Sequence, residues 1–163
     1  MTLEWKLKHY TNLTTDELYA LLQLRAAVFV VEQRCPYQDI DGLDRESWHL
    51  FALDGDTLTA ESRFFRKPGE PGVVQLGRVV TSRRGEGLGG ELLRRSVRAI
   101  RETLDPAEIY LEAQCYAEGF YAREGFTMCS EPFDEDGIPH VQMRLRLSQG
   151  SGETRLALVG PDP

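Results

Sequence analysis

Residues 73–104 change pattern abruptly. An apolar run at 73–80 gives way to the turn-forming stretch 82–87, and then Leu88, Leu92, Leu93, Val97, Ile100 and Leu104 recur at helical spacing. Arg94, Arg95, Arg98 and Arg101 fall largely outside that stripe. The join is spelled Arg84-Gly85-Glu86-Gly87-Leu88-Gly89. A strand that feeds through a glycine turn straight into a one-faced helix must lay the helix against a sheet, so the chain is bound to a layered architecture.

The flanking sequence agrees. A short strand is expected at 3–9. Thr14 and Glu17 are spaced as a capping box, and Leu18, Leu21, Leu22, Val28 and Phe29 follow at helical spacing. Arg25 falls on the same face, which is unusual for a helix that only packs a core. That helix is expected to end before Cys35-Pro36, because the residue before proline disfavours the helical region. Strands are expected at 48–53, 58–65 and 73–80, with a hairpin turn at Asp54-Gly55-Asp56 and a loop at 67–72. After the long helix come a strand at 109–114 and a short helix at 118–124, with Gly125 as its left-handed cap. Strands at 126–129 and 141–147 surround a loop at 134–140. The reading is an α+β (α/β layered) protein with a mixed sheet. Residues 1–147 form one domain and 148–163 a tail rich in Gly, Ser and Pro, in which 154–159 is a candidate edge strand.

Composition removes several function classes. The chain has 163 residues and a formal net charge of −7, which argues against a binder of nucleic-acid backbone. Its three cysteines are far apart and form no CxxC pair, so neither a zinc site nor a disulfide framework is expected. Glu4, Lys6 and Lys8 break up the N-terminal apolar residues, so no signal-peptide core is read. No apolar run approaches the ~20 residues that span a bilayer. A cytoplasmic protein is expected.

The glycine turn itself points to an anion. The first turn of a helix carries backbone N–H groups without intrahelical partners, and the helix dipole adds to their pull. Glycines let a phosphate approach the backbone, and Arg84 supplies a permanent charge suited to its oxygens. No Gly-Lys-Ser/Thr follows, and Gly85-x-Gly87-x-Gly89 lacks the dinucleotide-fold spacing. On its own the turn also fits a purely structural reading, close packing of helix on strand.

Longer stretches give the turn a context. Arg84-x-x-Gly87-x-Gly89 resembles the pyrophosphate motif of the Gcn5-related N-acetyltransferase (GNAT) superfamily, and Phe120-Tyr121-x-x-x-Gly125-Phe126 resembles its second signature. The segment from Phe29-Val30-Val31-Glu32-Gln33 through Cys35-Pro36-Tyr37-Gln38-Asp39-Ile40-Asp41-Gly42 is similar to the ElaA-like branch. So are Leu76-Gly77-Arg78-Val79-Val80, Ala113-Gln114 and Glu135-Asp136-Gly137-Ile138-Pro139-His140. The likeness covers roughly residues 3–147. One departure is a connection of only five residues between Arg78 and Arg84, about two fewer than the family uses, so Arg83 and Arg84 are both candidates for the pyrophosphate contact.

The resemblance implies a mostly antiparallel mixed sheet whose two central parallel strands splay apart to receive coenzyme A. It implies acetyl transfer from acetyl-CoA to an amine by direct attack in a ternary complex, with no metal. Val79 and Val80 would offer backbone to the pantetheine arm, Gln114 would line the facing strand, and Arg83, Arg84, Gly85, Gly87, Leu88, Gly89 and Gly90 would surround the pyrophosphate. Tyr121 matches the family's acid for the departing thiolate, since a phenol is a donor at neutral pH. A base must take the amine's proton. His140 suits the role because its unperturbed pKa is about 6.5. Glu112 is a second candidate, on the strand face of Gln114 by alternation. Glu32, His49 and a water relay remain open.

On the acceptor side, Glu32, Asp39, Asp41 and Asp44 make an acidic segment that would draw a cationic amine toward the cleft. His49 and Arg78 are further candidates there. Arg25, Arg63 and Arg78 would either pair those carboxylates or bind a carboxylate of the acceptor. The partner is thus a small-molecule or peptide amine, with neither nucleic acid nor membrane, and a homodimer is open through the tail. Two other classes compete: a non-catalytic CoA or acyl-CoA sensor or interaction module, and a nucleotide-binding protein using the same turn.

Overall fold

A computed structural model describes residues 2–147. The tail from 148 onward, with its candidate edge strand, lies outside the described residues. Strand β1 (Glu4–His9) leads to helix α1 (Thr15–Arg25), whose start is the expected capping box. Glu17 N–H donates to Thr14 Oγ1 at 3.0 Å and Thr14 N–H donates to Glu17 Oε1 at 2.9 Å. The helix ends before Cys35-Pro36 as expected, but it does not stay regular. Ala26–Glu32 is a π-helix, in which Gln33 and Cys35 N–H groups donate five residues back, to Val28 and Val30. Apolar spacing of 3.6 residues cannot announce such a widening.

Strands β2 (Trp48–Asp54), β3 (Thr57–Arg66) and β4 (Val73–Thr81) form an antiparallel meander, with the β2–β3 turn at Gly55-Asp56. Helix α2 (Leu88–Thr103) follows, then β5 (Glu108–Gln114) and the short helix α3 (Glu118–Ala122), with Gly125 at φ 100° beyond it. Strands β6 (Thr127–Met128), β7 (Phe133–Glu135) and β8 (Ile138–Arg146) complete the sheet. Residues 134–140, expected as a loop, are instead a hairpin. Asp136 and Gly137 both take positive φ, 55° and 83°, the geometry of a two-residue turn that suits twisted strands.

The eight-stranded sheet has the order β1-β2-β3-β4-β5-β8-β6, with β7 also on β8. Every pairing is antiparallel except β4 with β5. The α+β class with a mixed, mostly antiparallel sheet is therefore as expected. Along α2, Leu92, Leu93 and Ile100 are fully buried; Leu93 and Ile100 pack with Leu76, Ile109, Leu111 and Met143, and Leu92 with Leu50, Ala52 and Ala60. The arginines of α2 stay on its outer side, as the amphipathic pattern requires.

Candidate active site

The site begins where β4 leaves β5. The two strands pair only through Val73–Gln75 against Glu108–Tyr110. Beyond Gln75 the β4 edge has no ladder partner on that side. The cause lies on the other edge. Glu61 pairs with Val80 and Arg63 with Gly77, so Ser62 alone opposes Arg78 and Val79, a bulge that bends β4. Arg78 takes φ 51°, which costs a non-glycine residue about 1–3 kcal/mol and persists only when its surroundings enforce it. Its guanidinium lies 2.9 Å from Asp39 Oδ1, donates to the Asp39 carbonyl at 3.0 Å, and stacks over the Tyr37 ring.

Between the parted strands lies a cleft of about 630 Å³. At one end stands the glycine turn. Gly85 and Gly87 have φ of 77° and 75°, and Gly87 caps α2 without any side-chain bond to its first amides. Gly89 lines the cleft, where a Cβ would stand 3.5 Å from the Phe120 ring. Leu88 turns into the core, and Gly90 lies beneath the Arg94 guanidinium. Of the two arginine candidates, only Arg84 lines the cleft, its Nη2 donating to Glu32 Oε2 at 2.6 Å across the opening. Arg83 is ion-paired with Asp54. Val79, Val80 and Gln114 line the walls, and Gln114 Nε2 donates to Gln33 Oε1 at 3.2 Å.

Tyr121, Glu112 and His140 all line the same cleft. Tyr121 is half-buried, wedged edge-on between Phe120 and Phe126. Burial, and then the nearby Tyr116, push its phenol above the ordinary value, so it stays protonated. Tyr110 Oη donates to Glu112 Oε2 at 2.7 Å. His140 is buried and its Nδ1 donates to the Ile138 carbonyl at 2.7 Å.

The acidic segment is arranged otherwise. Glu32 and Arg78 line the cleft, whereas Asp39, Asp41 and His49 do not. Arg25, with no exposed surface, reaches Asp39 at 3.0 Å and Asp44 at 2.6 Å. Arg63 pairs with Asp41 at 2.6 Å, and Tyr37 Oη donates to Asp39 at 2.6 Å. Burial works to raise the Asp41 carboxyl, but the bond from Arg63, with help from Leu43 N–H and Arg78, holds it down at about 2. His49 is fully buried between Glu61 and the Asp44 carbonyl, 3.3 Å from each. Of the two arrangements open for the acidic segment, arginine pairing is the one formed, a network that ties the 37–46 connection to α1, β3 and β4. Sequence position could not choose between pairing and an open rim, because the three arginines come from distant elements.

The order of elements, the parted central strands and the glycine turn at the head of α2 form one recognisable combination. The acetyltransferase (GNAT) domain family matches residues 19–147. The chain belongs to the GNAT family. The ElaA protein of Escherichia coli K12 is 40% identical over 90% of this chain and 99% of its own length. The crystal structure of Escherichia coli ElaA superposes with a TM-score of 0.84 at 39% identity, covering 89% of this chain and all of that one. A crystal structure of an acyl-CoA N-acyltransferase from Pseudomonas aeruginosa gives 0.84 at 44% identity, covering 88% and 99%. The chain is thus a GNAT protein of the ElaA-like branch, a group built around acyl transfer from a coenzyme A thioester.

Some cleft residues were not anticipated. Glu135, Gln33 and Phe120 line it beside the expected ones. Glu135 belongs to the ElaA-like stretch before His140, but its direction depends on the β7–β8 hairpin, which the pattern did not reveal. Gln33 faces the cleft because the π-helix rotates the residues after Ala26.

Proposed function

We propose that this GNAT protein moves an acetyl group from acetyl-CoA to a primary amine of a small molecule or peptide, by direct attack within a ternary complex. One observation carries the reading. The unpaired β4 edge, the glycine turn with Arg84, and Tyr121 all border one cleft of about 630 Å³, in the size range of small-molecule sites.

The residues divide the work by position. Val79 and Val80 offer backbone along the parted edge. Gly85, Gly87 and Gly89 keep the α2 N-terminus open to a pyrophosphate, and Arg84 swings from Glu32 to supply a charge-assisted contact. Tyr121 holds the proton for the departing sulfur. Glu112 and His140, which line the same cleft, are our candidates for the group that accepts or helps to accept a proton from the amine. Glu32 and Arg78 stand on the acceptor side, where Arg78 is already committed to Asp39. No helix among the described residues is long and apolar enough to cross a membrane. We read the setting as cytoplasmic, in line with three unpaired thiols among the described residues.

The test is a thiol-release assay with acetyl-CoA and a panel of primary amines, alongside thermal shift with CoA and with ATP. Stabilisation by CoA and thiol release with at least one amine are expected. CoA binding with no release from any amine would make the chain a CoA-binding module, and stabilisation by ATP alone would make it a nucleotide binder.

A further inference from the structure

Three ionisable side chains from three strands meet on one wall of the cleft. Glu112 comes from β5, Glu135 from β7 and His140 from β8, and all three line it. The β7–β8 hairpin folds Glu135 back so that its carboxyl lies within hydrogen-bonding reach of Glu112. Two carboxylates so close cannot both ionise freely, and one shared proton relieves the repulsion. Tyr110 already donates to Glu112 Oε2, which leaves Glu135 as the carboxyl of the pair free to exchange a proton. His140 Nδ1 is occupied by the Ile138 carbonyl, so its Nε2 faces Glu135 Oε2 at 4.0 Å. Asp136 adds a neighbouring negative charge from the turn, and Cys35 donates its Sγ–H to the Asp136 carbonyl at 3.4 Å. Burial first, and then Glu112, push Glu135 up to about 7, with His140 acting in the opposite direction.

We propose that the Glu112–Glu135 pair is the proton-accepting site for the acceptor amine, with Glu135 as the group that takes the proton. The assignment rests on the reading of the chain as an amine acyltransferase. Above about pH 7, where Glu135 is ionised, the acceptor's ammonium gives one proton to its carboxylate and becomes nucleophilic. The C–N bond then forms as the C–S bond breaks. Tyr121 gives its proton to the leaving sulfur and regains one from the acylated nitrogen. Glu135, whose side chain is 43% exposed, returns its proton to solvent, so one proton is released per turnover.

A ¹³C NMR titration of the glutamate carboxyls in the full chain tests the pair without any substrate. One glutamate should titrate near neutral pH, vanish in Glu135→Gln, and move down by at least about one pH unit in Glu112→Gln, where the like charge is gone. Glutamates that all titrate below about pH 5.5, or a midpoint that Glu112→Gln leaves in place, overturn it. With an amine that is turned over, Glu135→Gln should lower kcat/KM about 100-fold or more while CoA affinity holds. The acidic limb near neutral pH should move to lower pH in Glu112→Gln, and a limb that stays put removes Glu135 as the base. If no amine is acetylated, the acyltransferase reading falls and the NMR titration still decides whether the pair exists.

Discussion

The molecule holds two clusters of charge built on opposite plans. Around Arg25, residues Asp39, Asp44, His49, Glu61 and Arg63 are shut away from water, and the arginines and aspartates are matched with partners across several elements. Around the cleft, Glu32, Arg84, Glu112 and Glu135 remain partly exposed and meet like charges as well as unlike ones. The first cluster fixes a connection, since removing one partner would strand a buried charge. The second keeps its protons and charges available. In the sequence both read as acidic and basic residues in a family-like context, so charge alone does not distinguish a brace from a working surface. Pairing and burial do.

The largest effect should come from breaking the brace. Arg25→Ala leaves Asp39 and Asp44 buried without their main partner, and should cost about 3–5 kcal/mol in denaturant unfolding. A loss below about 1 kcal/mol would show that water or rearrangement compensates and would weaken the contrast. Next, Tyr121→Phe should lower kcat about 100-fold with an accepted amine, since it removes the proton donor while keeping the ring between Phe120 and Phe126. Its thermal midpoint should stay near that of the parent. Arg84→Glu should raise the Kd for CoA about tenfold or more by calorimetry, while folding stability shifts by no more than about 0.5 kcal/mol. An unchanged Kd would take Arg84 out of the pyrophosphate site.

The subtlest distinction is in the sign of pH dependence. Asp41 is held at about 2, below its unfolded value of 3.8, so its contribution is present above 3.8 and is lost as pH falls toward 2. Glu135 behaves in the opposite way. Its folded pKa of about 7 lies above the ordinary 4.5, so the folded state binds more protons between those values and stability declines as pH rises through them. Denaturant midpoints measured from pH 4.5 to 7 should therefore fall less steeply in Glu135→Gln than in the parent. Equal slopes would place the two clusters in one electrostatic class.

Much of the frame was legible beforehand. The capping box at Thr14 and Glu17, the α2 stripe and the β2–β3–β4 meander follow local rules that act within a few residues. The glycine turn was legible for the same reason. The β4 bulge and the π-helix were not, because each adds one residue without changing hydrophobic period. Nor was the β7–β8 hairpin, because β7 is only three residues long, too short to show alternation. Those three irregularities aim Arg78, Gln33 and Glu135. For the acidic segment the sequence left arginine pairing and an open rim as alternatives, because Arg25, Arg63 and Arg78 lie on α1, β3 and β4 and only the tertiary fold brings them to it.

A π-turn is arithmetically one surplus residue threaded into an α-helix. In a regular helix each residue advances the direction of its side chain by about 100°. Excising Ala27, which does not line the cleft, would let Ala26–Glu32 relax to the narrower coil. Glu32 and Gln33 would then swing off the cleft, although no side chain in the cleft itself had been replaced. The counterpart of Arg84 would be withdrawn and Gln114 would lose Gln33 in the same stroke. In this protein the length of one helical segment, counted in single residues, is itself a determinant of what the cleft presents.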